Sequence, residues 1–251
     1  TPVAGANFNW TVVASNGISG AQNGTGACLN QVLVNNLLTQ GTVVYTVVAS
    51  ANNCSGSPVT ATISVNPNPS VTQVANIVLC PGQAIPTVNF SSTPAGASFA
   101  WTNSNPNIGL GASGAGSVPG WQAPVNLSGA PFVGTISVNG TINGCSGANM
   151  TFTVTINPTP TLTVSPASIT MCSGSNAVIS CNSNVLNATM TWVQASTNAS
   201  GAANGNGPTV NGLFTISQTL TATSNVQGNV VYTITPSALG CVGTPQQVGV
   251  T

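Results

Sequence analysis

Seven cysteines, Cys28, Cys54, Cys80, Cys145, Cys172, Cys181 and Cys241, are the most reactive side chains in a 251-residue chain without a single Asp, Glu, Lys, Arg or His. A thiol attacks as its thiolate, and making one near neutral pH takes a neighbouring base or cation that this chain does not contain. Catalysis through Cys, Ser or Tyr is not expected on that ground. The carboxylate, imidazole and lysine chemistry behind most acid–base catalysis is missing outright. A zinc site built from Cys alone would need closely paired ligands, and no Cys-x-x-Cys occurs. The expectation is no catalytic site, no metal and no cofactor, and thiols that pair with one another in an oxidising compartment outside the cytosol.

The spacing of those thiols points to repetition. Cys54 and Cys145 are 91 residues apart, as are Trp10 and Trp101, Trp101 and Trp192, and the Asn66-Pro67 and Asn157-Pro158 pairs. Around the first two Trp, TPVAGANFNW (1–10) matches TPAGASFAW (93–101), and glycine loops follow all three at 19–26, 110–116 and 200–207. The stretches 43–69, 132–160 and 230–251 repeat as well. Self-similarity at a fixed period marks tandem units. The expected units are an incomplete one over 1–66 that lacks its opening strands, a complete one over 67–157, and a third over 158–251 that stops short of its own Asn-Pro.

In this register Cys80 and Cys145 recur as Cys172 and Cys241. The expected bridges are therefore Cys80–Cys145 and Cys172–Cys241, each closing a loop of roughly 65–70 residues worth on the order of 4 kcal/mol. Cys54 matches Cys145, and its partner would fall ahead of residue 1. Cys28 and Cys181 have no equivalents, which leaves an idiosyncratic pair, free thiols, or Cys28 as a substitute partner for Cys54.

The elements that must position these residues are strands. Within 67–157, short runs of alternating or β-branched residues fall at about 71–79, 84–91, 97–103, 118–124, 132–142 and 148–157, with no helical periodicity. MTFTVTI (150–156) alternates cleanly, so Met150, Phe152, Val154 and Ile156 share one face. Six or seven short strands per 91 residues indicate an all-β immunoglobulin-like sandwich. Trp10, Trp101 and Trp192 each follow a Phe or Met by two residues, which places them in the inter-sheet core. The junctions NPNPS (66–70) and NPTPT (157–161) predict extended linkers and a stiff rod. Asn16-Gly17, Asn139-Gly140 and Asn211-Gly212 predict tight turns. Nine Asn-x-Ser/Thr sequons are close to the chance number for so Asn- and Thr-rich a chain and carry no argument.

Composition excludes several partners. With 41% apolar residues in short runs and no charge, the chain is not disordered. It lacks the cations a nucleic-acid binder needs, and no apolar run approaches a bilayer-spanning helix. Without Lys to guard strand edges or net charge to keep copies apart, neighbouring repeats or copies of the same protein are the expected partners. A rival partner is a surface glycan stacked on Trp121, which has no Trp counterpart in the other units; local packing is the simpler role. A second rival is a self-assembling fibre subunit in which a strand from another copy completes the edge of the first unit.

The set Cys-Pro-Gly-Gln (80–83), TPAGASFAWTNSNPNIGLGASGAG (93–116) and NGCSGANMTFTVTINPTP (143–160) resembles the PKD-like, immunoglobulin-like repeats of very large bacterial surface proteins, and the resemblance runs through nearly all 251 residues. It implies an extracellular or cell-surface setting. It also implies the role such repeats have in adhesins of gliding bacteria exported by the type IX pathway, as the stalk or filament and not the chemistry.

Overall fold

The computed structural model describes residues 5–251. Apart from one 3-10 turn, Pro106–Ile108, its regular structure is entirely β-strand. The alternation of the sequence is what the strands express. In Met150–Ile156 the four apolar residues are buried while the intervening Thr are exposed or half-buried.

The strands fall into three groups, and no sheet draws strands from more than one. In the first, Asn7–Ala14 lies between Gly24–Gly26 and Gly41–Ala51, which also pairs with Cys54–Ser55 and Val59–Val65. In the second, Ser98–Asn103 and Phe132–Ile142 form the centre of a sheet that continues through Met150–Ile156 to Ile77–Leu79, the last pair being parallel. In the third, Thr189–Thr197, Asn229–Ala238 and Gln246–Val250 lead in the same order to Ser168–Ile169, again parallel.

The groups differ in what covers this common sheet. The third has a facing four-stranded sheet, Leu162–Ser165, Ser175–Ser183, Leu213–Ala222 and Ala199–Ser200. The second has only short pairs, Ala84–Ile85 with Trp121–Gln122 and Ser70–Val71 with Ser92–Thr93. The first has one small hairpin, Ile18–Ser19 with Val34–Asn35. Cores follow suit. Tyr232, Ile234, Met190 and Ile179 anchor the third, and Ile136, Val138, Phe152 and Val154 the second. The first buries only three large apolar side chains, Trp10, Val43 and Tyr45, among its described residues.

Several expected strands are shorter than the sequence suggested. The run 71–79 splits into Ser70–Val71 and Ile77–Leu79 because side-chain amides take over the ladder between them: Gln73 Nε2 donates to the Thr151 carbonyl (2.9 Å) and Asn76 Oδ1 accepts from Thr153 N (2.9 Å). Pro86, Pro119 and Pro124 lack the N–H that would extend 84–91 and 118–124, which shrink to Ala84–Ile85 and Trp121–Gln122 plus a bridge from Val88 to Val118. Asn139-Gly140, expected as a turn, lies inside the strand Phe132–Ile142, where Gly140 leaves room for Val71 and Phe99.

Each repeated Trp stands opposite a glycine on the neighbouring strand, Trp10 with Gly24, Trp101 with Gly114 and Trp192 with Gly205. A Cβ on Gly24 would sit 2.6 Å from Trp10 Cζ2, and the other two glycines are at least as tight. The glycine loops therefore give the indoles a flat floor. Trp10 and Trp101 are buried, while Trp192 is half-buried and tilts onto Phe214, ring centroids 5.4 Å apart. Replacing Gly205 with Ala should destabilise the third group by about 1–3 kcal/mol through overpacking. Its thermal midpoint should drop several degrees, whereas Gly111→Ala, which faces open space, should leave the midpoint unchanged. Equal midpoints for the two variants would contradict the role given to the indole.

Candidate functional site at the junctions between groups

Three hairpins of one kind precede three of the cysteines. Asn52-Asn53, Asn143-Gly144 and Leu239-Gly240 all have both residues at positive φ (49° and 62°, 46° and 79°, 50° and 81°), the type I′ geometry that suits strand twist, and Cys54, Cys145 and Cys241 follow. Two of these hairpins meet the Asn-Pro-x-Pro segment of the preceding group. Asn157 Nδ2 donates to the Leu239 carbonyl (2.7 Å) while its backbone N–H donates to Leu79 (2.8 Å). Asn66 Nδ2 donates to the Asn143 carbonyl (3.3 Å), with Gln40 Nε2 holding Asn66 Oδ1 (2.7 Å). Two residues past each Cys, Gly147 and Gly243 press against the carbonyls of Pro69 and Pro160, where a side chain would collide. The alternating prolines Pro67, Pro69, Pro158 and Pro160 are all buried, so these linkers are docked surfaces.

The second junction is the more elaborate. Asn126, fully buried, donates through Nδ2 to the Ile156 and Ala130 carbonyls (2.9 and 2.8 Å), and its own carbonyl accepts from Thr159 N. Asn184 bridges the other way, donating to the Leu127 carbonyl (3.0 Å) and accepting from Thr161 N (2.7 Å). A disulfide closes it, Cys80 to Cys241, Cα atoms 5.5 Å apart and 161 residues apart in sequence.

That bridge corrects both expected pairings. Leu79 lies beside Ile156, so Cys80 stands at the C-terminal end of Met150–Ile156, whereas Cys145 precedes the N-terminal end of that strand. The two are separated by a strand roughly 20 Å long, and a disulfide tolerates no more than about 7 Å between Cα atoms. Cys172 and Cys241 are held apart in the same way by Gln246–Val250, since Ile169 lies beside Val250. The lower cysteine of one group instead meets the upper cysteine of the next.

Cys28, Cys54, Cys145, Cys172 and Cys181 are unpaired. Cys28 belongs to the first group and Cys181 to the core of the third, so they do not form the idiosyncratic pair. Burial pushes the Cys181 thiol up to about 11, which removes it further from nucleophilic chemistry. Among the described residues no cluster of three or more metal-ligating side chains occurs.

Trp121 is half-buried and packs against the second core, and its indole N–H donates to the Ile108 carbonyl (2.8 Å) at the end of the 3-10 turn. The geometry suits a packing residue better than a sugar platform. Sequence reasoning missed a polar network shared by two groups. Tyr45 OH donates to Gln31 Oε1 (2.6 Å), the Gln31 amide donates to the Gln22 carbonyl and accepts from its N–H, and Trp10 Nε1 donates to that carbonyl too. Tyr232, Gln218, Ala203 and Trp192 repeat the arrangement. The string VVYT at 43–46 and 230–233 was its visible trace. Ile136 replaces the Tyr in the second group, where Trp101 Nε1 is buried without a partner.

A family model described as a PKD-like domain matches residues 1–69 and 169–251. The chain belongs to the PKD-like family. The two matched stretches take in the first group and all but the opening strand of the third, the two groups that share the Tyr–Gln–Trp network, and the strands of the divergent second group lie between them. No curated protein matches the chain. Solved structures similar to this PKD-like chain include a titin I-band fragment at 9% identity, covering 99% of this chain and 88% of that one, TM-score 0.46. They also include the chicken CNTN1 FN1–FN3 domains at 11%, covering 97% and 87%, TM-score 0.31.

Two outcomes follow for the PKD-like groups. Because the Cys80–Cys241 bridge joins two cores, Cys241→Ser should leave each core's unfolding midpoint nearly unchanged while speeding amide exchange across 157–161 and the Leu239-Gly240 turn; loss of the third core's stability would count against this. Urea stability should be level at mildly acidic and neutral pH. Since the folded Cys181 thiol is raised from its ordinary 9.0 to about 11, its contribution is complete below 9 and is lost as pH rises towards 11. Burial of Tyr232 acts in the same direction. A urea midpoint rising over that alkaline range would contradict the assignment.

Proposed function

We propose that residues 1–66, 67–157 and 158–251 are consecutive PKD-like modules of a structural stalk or filament at the cell surface, of the kind found in giant adhesins of gliding bacteria, arranged as an elongated rod. The observation that carries this reading is the covalent and hydrogen-bonded closure of the junction between the second and third groups, with the same Asn-to-turn bond at the junction before it. A linker whose prolines are buried and whose asparagine is tied to the next module sets an orientation instead of leaving a swivel. The neutral surface adds insensitivity to salt, since no ion pair is available to be screened.

Small-angle scattering on the intact chain and on chains shortened at 157 and 66 tests the arrangement: the maximum dimension should fall by a similar step with each module removed, without dependence on salt. A compact particle whose largest dimension barely changes would overturn the rod. Surface placement is checked by protease shaving of intact source cells, which should release the chain without lysis.

A further inference from the structure

Seven Asn-Gly pairs occur in the chain, at Asn16, Asn23, Asn139, Asn143, Asn204, Asn206 and Asn211, and the fold treats them unequally. An Asn side chain followed by Gly can react with its own backbone, because no Cβ shields the next nitrogen. Three of the amides are pinned. Asn23 Oδ1 and Asn204 Oδ1 accept from Val12 N and Gln194 N (both 2.8 Å), and Asn139 Nδ2 donates to the Gly147 carbonyl and to Asn149 Oδ1 (both 2.9 Å). In two more pairs the glycine is buried, Gly207 against Phe214 and Gly212 against the Ser183 carbonyl. Asn16-Gly17 and Asn143-Gly144 remain. Both residues of each are exposed and lie in turns, and neither the Asn side chain nor the Gly N–H bonds to another described residue.

The second of these pairs stands at a joint. Asn143 is the turn residue whose carbonyl accepts from Asn66 Nδ2 (3.3 Å), the bond that ties the first group to the second. At the next joint the same turn position holds Leu239, also at positive φ (50°) and also accepting, from Asn157 Nδ2, with the Cys80–Cys241 bridge following it. The left-handed region is open to Asn and costly for Leu, so backbone preference alone would put Asn at both joints. The second joint instead carries a residue that fits its turn less well and has no amide to lose.

We propose that Asn143-Gly144 is a self-modification site that ages the first junction while the second stays fixed. The Gly144 nitrogen attacks Asn143 Cγ, the new C–N bond closes a five-membered imide, and the side-chain nitrogen leaves as ammonia, taking the Gly144 proton. Water then opens the ring at either carbonyl, which gives an aspartate with the ordinary linkage or one linked through its side chain. Water is the one co-reactant. Either product puts a carboxylate on a chain that otherwise has no charged side chain. Linkage through the side chain also adds one atom to the main chain, inside a two-residue turn whose length sets the register of its hairpin. The acceptor that Asn66 uses is displaced, and the joint loosens. Asn16-Gly17 is the internal comparison, since it has the same exposure and no hydrogen bond from it crosses a junction.

The intact chain, its free thiols blocked, is incubated in mildly alkaline buffer and sampled over weeks by chymotryptic mapping, with electron-transfer fragmentation to tell the two linkages apart. Conversion at Asn16 and Asn143 should run about tenfold faster than at Asn23, Asn139 and Asn204, whose reaction waits on local opening. In the aged chain, amide exchange should quicken across 66–70 and 143–147 and stay unchanged across 157–161 and 239–243. Asn143→Gly keeps a residue suited to the positive-φ turn but removes the amide, so it should abolish both the product at 143 and the quickening while Asn16 converts as before. Two results would overturn the proposal: Asn143 converting no faster than the pinned asparagines, or aged Asn143→Gly chain loosening across 66–70 as much as its parent.

Discussion

The constraint on which this structure depends is that polar groups can be satisfied only by neutral partners. With no charged side chain, anchoring falls to the amides of Asn and Gln, whose paired donor and acceptor can satisfy two backbone groups at once. Gln31 and Gln218 each clamp both backbone groups of a loop residue, Asn184 spans the second junction in both directions, and Asn126 ties a buried loop to a strand end. A net contribution of about 0.5–1.5 kcal/mol per bond is modest, yet a buried partner left unmet costs more than the bond gains. Such networks thus select one arrangement more than they add stability. The orphaned indole N–H of Trp101 marks the place where the second group gave up the network and relied on apolar packing instead.

The fold was legible because strand alternation and a 91-residue period are properties of local sequence. Met150–Ile156 and Phe132–Ile142 could be placed from their side-chain pattern alone, and PKD-like membership fits the resemblance noted in the motifs. What escaped was set by contacts far apart in the chain. Cys80 and Cys145 share a repeat and a plausible spacing, but strand direction places them at opposite ends of one sheet, and direction is not written in hydrophobic periodicity. The Tyr–Gln–Trp network was equally hidden, since Gln31 lies outside any strand while Gln218 lies within Leu213–Ala222, so no shared local pattern marks the two glutamines.

The middle unit is the divergent one of the three. Its facing layer is interrupted by prolines, its Tyr position holds Ile136, and Trp121 fills space that the other groups close differently. The third group, with two full sheets, shows the architecture most plainly.

The Cys80–Cys241 bond also reroutes force. A pull applied to the two ends of the chain enters the second group, reaches residue 80 and crosses the sulfur pair directly to residue 241, so the strands between carry little of it. At about 3.3–3.6 Å per extended residue, that 161-residue span holds back roughly 550 Å of contour that stretching cannot release until the bond is reduced. The thiol–disulfide balance of the surroundings thereby sets how far this polymer can lengthen before it breaks.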